Sequence, residues 1–152
     1  MSQTPPRLAA LLLAAGTGSR FGADAPKQFL PLAGKPVLRH AAEALARAGA
    51  TVQPVGDPAA IAAALEGMPH LPSVQGGATR QDSVRRGLAA LEAHAPDIVL
   101  VHDGARPVIP DGTIPALLAA LRTHSGAIPA VPVADTLKRA EADVIAATVP
   151  RE

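Results

Sequence analysis

Two cations, Arg20 and Lys27, accompany a glycine-rich segment that follows an apolar run at residues 8–15. An unbroken apolar run of this kind is typical of a strand buried on both faces of a parallel sheet. Ligands of such sheets bind at the carboxyl ends of the strands, so the glycine-rich segment lies where a site is expected. Backbone N–H groups and two full positive charges at that place favour an anion such as a polyphosphate.

The glycines of this segment match neither of the two common nucleotide-binding fingerprints. Glycines at positions 16, 18 and 22 give the pattern G-x-G-x-x-x-G, which differs from the dinucleotide-binding motif. That motif also requires an acidic residue after the second strand. The candidate there is Asp57, which is better explained as a helix cap. The sequence GKP at 34–36 lacks the Ser or Thr of a P-loop. On glycine spacing alone, a turn that only joins strand to helix stays an alternative.

A glycine pair and a serine form a second group of candidate residues. Gly76-Gly77 follows a short predicted strand, where glycine lets the backbone come close to a ligand. Ser83 could donate a hydrogen bond from the first turn of the next helix, for which Thr79 is the expected cap.

A third candidate is the carboxylate of Asp103, which comes just after the apolar strand predicted at residues 97–101. Mg²⁺ prefers one or two carboxylates together with substrate phosphates, so Asp103 is the candidate metal ligand. The alternative is an aspartate that caps its own loop and forms an ion pair with Arg106.

Strand and helix patterns alternate along the chain, and they predict a doubly wound α/β fold with a mostly parallel, twisted sheet and helices on both faces. Helices are expected to end at Gly49 and to begin after Asp57, Thr79 and Asp111. Residues 127–133 contain two prolines and are predicted to form an edge strand or an irregular one. Residues 134–152 have no clear period and are predicted to be extended. We expect one domain over 1–152.

Composition excludes several classes of protein. A formal net charge of +1 gives no general attraction to nucleic acid or to a membrane, and 1% aromatic residues leaves little for base stacking. The absence of cysteine excludes disulfides and thiolate metal sites. Since no apolar run is as long as a membrane-spanning helix and no signal peptide is recognisable, a cytoplasmic location is expected.

Six segments occur in one order along the chain: AAGTGSRFG, PKQFLPLAGKPVL, GGATRQDSV, VHDGARP, PVADTLKRA and TVPRE. Together they resemble the 2-C-methyl-D-erythritol 4-phosphate cytidylyltransferase family of the non-mevalonate isoprenoid pathway. The resemblance implies a Rossmann-like nucleotidyltransferase fold with a protruding β-arm at about residues 134–152, through which two subunits form a homodimer. It also implies that CTP and 2-C-methyl-D-erythritol 4-phosphate react, with Mg²⁺ as cofactor, to give 4-diphosphocytidyl-2-C-methyl-D-erythritol and pyrophosphate.

The resemblance also assigns roles to individual residues. Arg20 and Lys27 would stabilise the transition state, and Arg151 is a further catalytic cation. The residues expected to line the nucleotide are Ala14, Ala15, Gly16, Gly18, Lys27, Gly77 and Ser83. The residues expected on the sugar-phosphate side are Asp103, Arg106, Thr136 and Arg151. Asp103 would also bind the metal. Thr136 and Arg151 would reach the substrate of the other subunit.

The chain departs from the family pattern in two places. Ala78 stands where many relatives carry an acidic residue after the glycine pair. The family also continues beyond the PRE at 150–152 with further strands and helices and a substrate-binding lysine, so the chain is expected to be incomplete at its C-terminus relative to the family.

Four alternatives stay open on the sequence. The chain could act on ribitol 5-phosphate, since such cytidylyltransferases share the PKQF region. It could be the N-terminal domain of a fusion with a cyclodiphosphate synthase, since the stretch RQDSVRRGL is similar to the one in such fusions. It could be a non-catalytic remnant that binds CTP without turnover. A plain NAD-binding domain is the least favoured reading.

Overall fold

A computed structural model of the chain describes residues 5–16 and 26–150. The chain divides into two compact units, Met1–Pro110 and Asp111–Glu152. The prediction that residues 1–152 act as one domain stays a prediction.

The first unit alternates strands and helices, as predicted. In chain order it forms β1 (Leu8–Leu13), a hairpin of β2 (Pro31–Leu32) and β3 (Lys35–Pro36), α1 (Val37–Arg47), β4 (Thr51–Gly56), α2 (Pro58–Ala64), β5 (Val74–Gln75), α3 (Arg80–Leu91) and β6 (Ile98–Asp103). Single 3₁₀ turns cover Lys27–Phe29 and Glu92–His94.

The apolar run at the start of the chain forms a strand in the interior of the sheet, as its sequence predicts. The order is β5-β4-β1-β6, and all of these strands are parallel. β1 pairs with β4 on one side and with β6 on the other, and the side chains of Ala10, Leu11 and Leu12 are fully buried. Parallel strands that are covered on both faces carry such continuous apolar runs.

Helices cover both faces of this sheet. Because side chains alternate along a strand, Ala9 and Leu11 share one face, where they pack in a cluster with Leu91 of α3. The connection through α1 leads from β1 to β4, whereas α3 leads from β5 back across the sheet to β6. Right-handed crossovers that run in opposite directions place their helices on opposite faces, which gives the doubly wound arrangement that was predicted.

Local chemistry sets the helix ends. The carboxylate of Asp57 accepts a hydrogen bond from the Ala60 N–H at 2.9 Å and caps α2. Thr79 caps α3 through the Asp82 N–H at 3.0 Å. Gly49 follows α1 with a φ of +83°, a conformation that glycine adopts without strain. All three assignments were predicted and are confirmed.

The second unit contains α4 (Thr113–Ala120) and a hairpin of β7 (Lys138–Glu141) and β8 (Val144–Thr148). The prediction that Asp111 caps α4 is wrong: Gly112 takes the N-cap position, and no side-chain hydrogen bond caps this helix. The φ of Gly112 is +81°, in a region that favours glycine, and this explains why the helix begins after it.

The predicted arm is a two-stranded hairpin over part of its length. Ala142 and Asp143 form its turn with positive φ at both positions, which suits the twist of a tight hairpin. The region 127–133 contains no strand, so the irregular conformation was the correct alternative there. No helix in the described part of the chain is long and apolar enough to cross a membrane.

Candidate active site

An open cleft of about 580 Å³ lies in the first unit at the carboxyl ends of β1 and β6. Its walls bring together residues from four separate stretches of the chain. Among the lining residues are seven that the sequence assigned to a nucleotide, a metal or a sugar phosphate: Ala15, Gly16, Lys27, Gly77, Ser83, Asp103 and Arg106.

The register of two parallel strands places Asp103 in this cleft. Leu13 and Asp103 are partners at the ends of β1 and β6, and the next N–H, that of Gly104, donates to the Leu13 carbonyl oxygen at 2.8 Å. A Cβ at Gly104 would lie 2.5 Å from the Cδ1 of Leu38 and 2.9 Å from that same carbonyl oxygen. Only glycine therefore lets the chain turn against β1 immediately after the carboxylate.

The side chain of Gln28 holds the beginning of the glycine-rich segment. It is buried, and its Nε2 donates to the carbonyl oxygens of Ala14 and Gly16, both at 2.8 Å. Lys27 precedes it in the 3₁₀ turn and lines the cleft. Sequence reasoning missed Gln28, because a side chain whose partners are main-chain carbonyls leaves no residue pattern to recognise.

The glycine pair and Ser83 form a closely packed junction at the start of α3. The Gly77 N–H donates to the Ser83 Oγ at 3.0 Å, and that hydroxyl donates to the Thr79 carbonyl oxygen at 3.0 Å. A Cβ at Gly77 would lie 2.3 Å from the Cβ of Asp82, and one at Gly76 would lie 2.3 Å from the Cβ of Ala15. Chain packing thus requires both glycines, and Ser83 shapes the loop that borders the cleft.

Two guanidinium groups surround the carboxylate of Asp103. Arg80 donates to Oδ1 from Nε at 3.2 Å and from Nη2 at 3.0 Å, and the Nε of Arg106 lies 3.3 Å from Oδ2. The ion pair with Arg106 was the structural alternative for Asp103, and it is present. The side chains of Arg80 and Arg106 are 63% and 75% exposed, so each pair contributes only about 0.2–1 kcal/mol.

Arg80 was not predicted to be a site residue, although its position carries a signal. It is the first residue of α3, where the helix dipole disfavours a cation. An anionic partner offsets this unfavourable interaction, and Asp103 supplies one here.

The described residues of this cleft could supply part of the ligand set that Mg²⁺ requires. Asp103 is half-buried at the cleft wall and offers carboxylate oxygens. Within residues 5–16 and 26–150, no group of three or more histidine or acidic side chains could hold a metal ion. The chain could therefore contribute one carboxylate, and the remaining ligands would have to be phosphate and water oxygens, a set that Mg²⁺ accepts.

A smaller cavity of about 220 Å³ borders the same loops. Ala14, which was predicted to line the nucleotide, contributes to its wall together with Phe29 and Gln75. The Nη1 of Arg86 donates to the carbonyl oxygens of Gln75 and Gly76, at 3.3 and 2.8 Å, and so ties this wall to α3. Arg86 was also missed from the sequence, for the same reason as Gln28: its partners are main-chain atoms.

Four predicted site residues are not part of these cavities as described. Thr136 is exposed in the second unit, just before β7. Gly18, Arg20 and Arg151 lie outside the described residues.

Comparison with known proteins identifies relatives over almost the whole chain. The family model for IspD, 2-C-methyl-D-erythritol 4-phosphate cytidylyltransferase, matches residues 8–152. The bifunctional enzyme IspD/IspF of Granulibacter bethesdensis is 62% identical over 146 residues, which cover 96% of this chain and 39% of that protein. The corresponding protein of Gluconobacter oxydans is 53% identical over 154 residues, covering 96% of this chain and 40% of its own length. The chain thus spans about two fifths of the length of these curated relatives.

A solved structure also shares the fold over most of this chain. The crystal structure of 2-C-methyl-D-erythritol 4-phosphate cytidylyltransferase from Thermus thermophilus aligns with a TM-score of 0.67 and 35% sequence identity. The alignment covers 93% of this chain and 63% of that one. The predicted fold class, a Rossmann-like α/β nucleotidyltransferase with a parallel sheet, is confirmed.

Proposed function

Because the chain belongs to the 2-C-methyl-D-erythritol 4-phosphate cytidylyltransferase family, we propose that it provides the nucleotide-binding site of an enzyme that joins CTP and 2-C-methyl-D-erythritol 4-phosphate. The products would be 4-diphosphocytidyl-2-C-methyl-D-erythritol and pyrophosphate. The observation that carries this proposal is the cleft at the ends of β1 and β6, where Lys27 meets Asp103 and Arg106, which lie together at the end of β6.

In the proposed reaction, a phosphate oxygen of the sugar phosphate attacks the α-phosphorus of CTP, and pyrophosphate leaves. Both reactants are anions, so the protein must offset their repulsion and then stabilise the charge that develops in the in-line transition state. Lys27 lines the cleft and would act on the phosphates, with Arg20 as the second cation predicted from the sequence. No covalent intermediate is needed, in keeping with a sequence that contains no cysteine.

Asp103 would be the metal ligand contributed by this chain, because it presents a carboxylate to the cleft. A bound Mg²⁺ would neutralise part of the phosphate charge. Arg106 would lie on the sugar-phosphate side, where its long exposed side chain can reach a phosphate. The Ala14–Gly16 backbone, which Gln28 holds in place, would border the nucleotide.

We further propose that the hairpin of β7 and β8 mediates a homodimer and brings Thr136 and Arg151 to the site of the other subunit. Apolar side chains on this hairpin are exposed, including Val144 at 67% and Ile145 at 65%. Large apolar side chains that are this exposed on one hairpin favour a protein–protein contact. Light scattering should report a dimer for the wild-type protein and a monomer for Ile145→Asp; a dimer in both would contradict this role.

Pyrophosphate release is the experiment that tests the proposed activity. The protein should release pyrophosphate from CTP with 2-C-methyl-D-erythritol 4-phosphate and not with ribitol 5-phosphate. The opposite preference would support the ribitol alternative. Binding of CTP without turnover would support the non-catalytic alternative, and binding of NADH without binding of CTP would overturn the proposal.

A second candidate concerns the whole protein. The relatives in Granulibacter bethesdensis and Gluconobacter oxydans are bifunctional enzymes, and this chain aligns with two fifths of each. We propose that it corresponds to the cytidylyltransferase part of a fusion with a cyclodiphosphate synthase. The intact mass of the polypeptide purified from its own cells is the measurement: a mass well above 15.3 kDa supports the fusion, and a mass equal to it refutes the fusion.

A further inference from the structure

We propose that Arg80 is a phosphate-binding residue of the cleft, and that Asp103 holds its guanidinium in place until a phosphate of the ligand takes it over. The inference rests on the proposed function, since it assigns a further role in the same site. Neither the family resemblance nor the sequence pattern assigned a ligand role to Arg80.

The position of Arg80 is the first argument. Arg80 lines the cleft together with Lys27 and Arg106, so three cations border one space of about 580 Å³. Asp103 is the one acidic side chain among the described lining residues of this cleft. The cleft is therefore positively charged overall, as a site for a polyphosphate should be.

The geometry of the ion pair is the second argument. Arg80 uses Nε and Nη2, and both of them donate to the same oxygen, Oδ1 of Asp103. Within residues 5–16 and 26–150, the Nη1 amino group of Arg80 has no hydrogen-bond partner. The guanidinium is thus anchored through one edge and keeps donors for a further anion, the geometry in which arginine binds phosphate.

Exposure is the third argument. The side chains of Arg80 and Asp103 are 63% and 35% exposed, and water weakens an ion pair in such a place. A phosphate with two or more negative charges competes well with one carboxylate for the guanidinium. When Arg80 changes partner, the carboxylate of Asp103 is released to the cleft, where a divalent cation that accompanies the nucleotide can bind it.

A purely structural role for Arg80 is the competing explanation. In that case the pair would only join the beginning of α3 to the end of β6. The two explanations differ in what happens when Asp103 loses its charge. A structural role predicts lower stability and no gain in anion affinity, whereas a guanidinium that is held by Asp103 should bind an external phosphate better once the carboxylate is gone.

The test uses inorganic pyrophosphate as the probe, titrated calorimetrically in EDTA, and CTP with Mg²⁺ in parallel. Arg85 supplies a matched control, because it lies exposed on α3 and does not line the cleft. Arg80→Gln should weaken pyrophosphate binding by about tenfold or more, the loss expected for a charge-assisted contact, whereas Arg85→Gln should change it less than about twofold. Arg80→Lys keeps the charge but loses the planar guanidinium, so its affinity for pyrophosphate should lie between the affinities of those two variants.

Asp103→Asn provides the discriminating measurement. It should bind pyrophosphate in EDTA more tightly than the wild-type protein does, and this gain should disappear in the Arg80→Gln, Asp103→Asn double variant. A gain that persists without Arg80 would overturn the inference, as would equal affinities in Arg80→Gln and Arg85→Gln. Thermal unfolding of each variant shows that it is folded. Failure of the wild-type protein to bind either CTP or pyrophosphate would instead contradict the proposed function.

Discussion

The backbone N–H of Gly77 donates a hydrogen bond to the Oγ of Ser83, six residues later, at 3.0 Å. This contact joins the loop after β5 to the first turn of α3, and the Ser83 hydroxyl extends it by donating to the Thr79 carbonyl oxygen. The side chain of Ser83 is buried. The wall of the cleft is therefore shaped by a hydroxyl group that bonds to main-chain atoms on both sides.

Ser83→Ala should lower both the stability and the affinity for CTP. The change leaves the Gly77 N–H and the Thr79 carbonyl without this partner, which should cost about 1–3 kcal/mol of unfolding free energy. Urea unfolding and CTP titration measure the two effects, with the exposed Ser125→Ala as the control. A loss of CTP affinity at unchanged stability would instead indicate that the hydroxyl acts only on the ligand.

Gln28→Leu should destabilise the fold and raise the KM for CTP. Leucine fills a similar volume and cannot donate, so the carbonyl oxygens of Ala14 and Gly16 lose their shared partner, at a cost of about 1–3 kcal/mol. Thermal unfolding and steady-state kinetics are the measurements. Gln81→Leu, at an exposed position on α3, should change neither value. Unchanged kinetics in Gln28→Leu would show that the glycine-rich segment keeps its shape without this clamp.

Lys27→Ala should lower kcat by about 10²–10³-fold and weaken CTP binding much less, since the charge is expected to act on the transition state. Steady-state pyrophosphate release, combined with equilibrium titration of CTP, separates the two effects. Lys35→Ala removes an equal charge from an exposed position that pairs with Glu43, and it should leave kcat unchanged. Near-normal turnover in Lys27→Ala would remove this residue from the mechanism.

Glu43→Gln should reduce stability at neutral pH and have a smaller effect in acid. Hydrogen bonds from Lys35 and then Arg39 hold the pKa of Glu43 below its ordinary value of 4.5. A lowered folded-state pKa contributes stability that is present above the ordinary value and lost as pH falls through the folded-state pKa.

Because Lys35 is 48% exposed, solvent screening limits the effect to about 0.5–1 kcal/mol at pH 7. Urea unfolding from pH 7 to pH 3 should show the variant and the wild-type protein converging in acid. Glu92→Gln, on an exposed side chain, should follow the wild-type curve throughout. A difference that grows in acid would contradict the assignment of the pKa shift to these hydrogen bonds.

Several features of the fold followed directly from local sequence. Continuous apolar runs predicted both β1 and β6. The run in β1 is buried, as strands covered on both faces require, whereas β6 lies at the edge of the described sheet and its Val101 is 44% exposed. Asp57 and Thr79 were recognised as caps, since their side chains bond within three residues along the chain. The helix that begins at Thr113 shows the limit of this reasoning, because a glycine with positive φ takes the position expected of Asp111.

The sequence predicted the site residues that follow strands. It did not predict the site residues whose roles depend on contacts with residues far away along the chain. Asp103 and Gly77 follow strands, and parallel strands bring their carboxyl ends to one edge. The roles of Gln28 and Arg80 come from partners 14 and 23 residues away in sequence, which no local pattern encodes. Such contacts can be assigned only once the three-dimensional arrangement of the segments is known.

Three crowded glycines at or beside the cleft have a consequence for redesign of its specificity. At Gly76, Gly77 and Gly104, any added side chain would meet neighbouring atoms at 2.5 Å or less, so these positions are closed to variation. Ala78 also lines the cleft but is exposed, and it can be exchanged without disturbing the backbone around it. A library that aims at a different nucleotide should therefore diversify position 78 and leave the neighbouring glycines as an invariant frame.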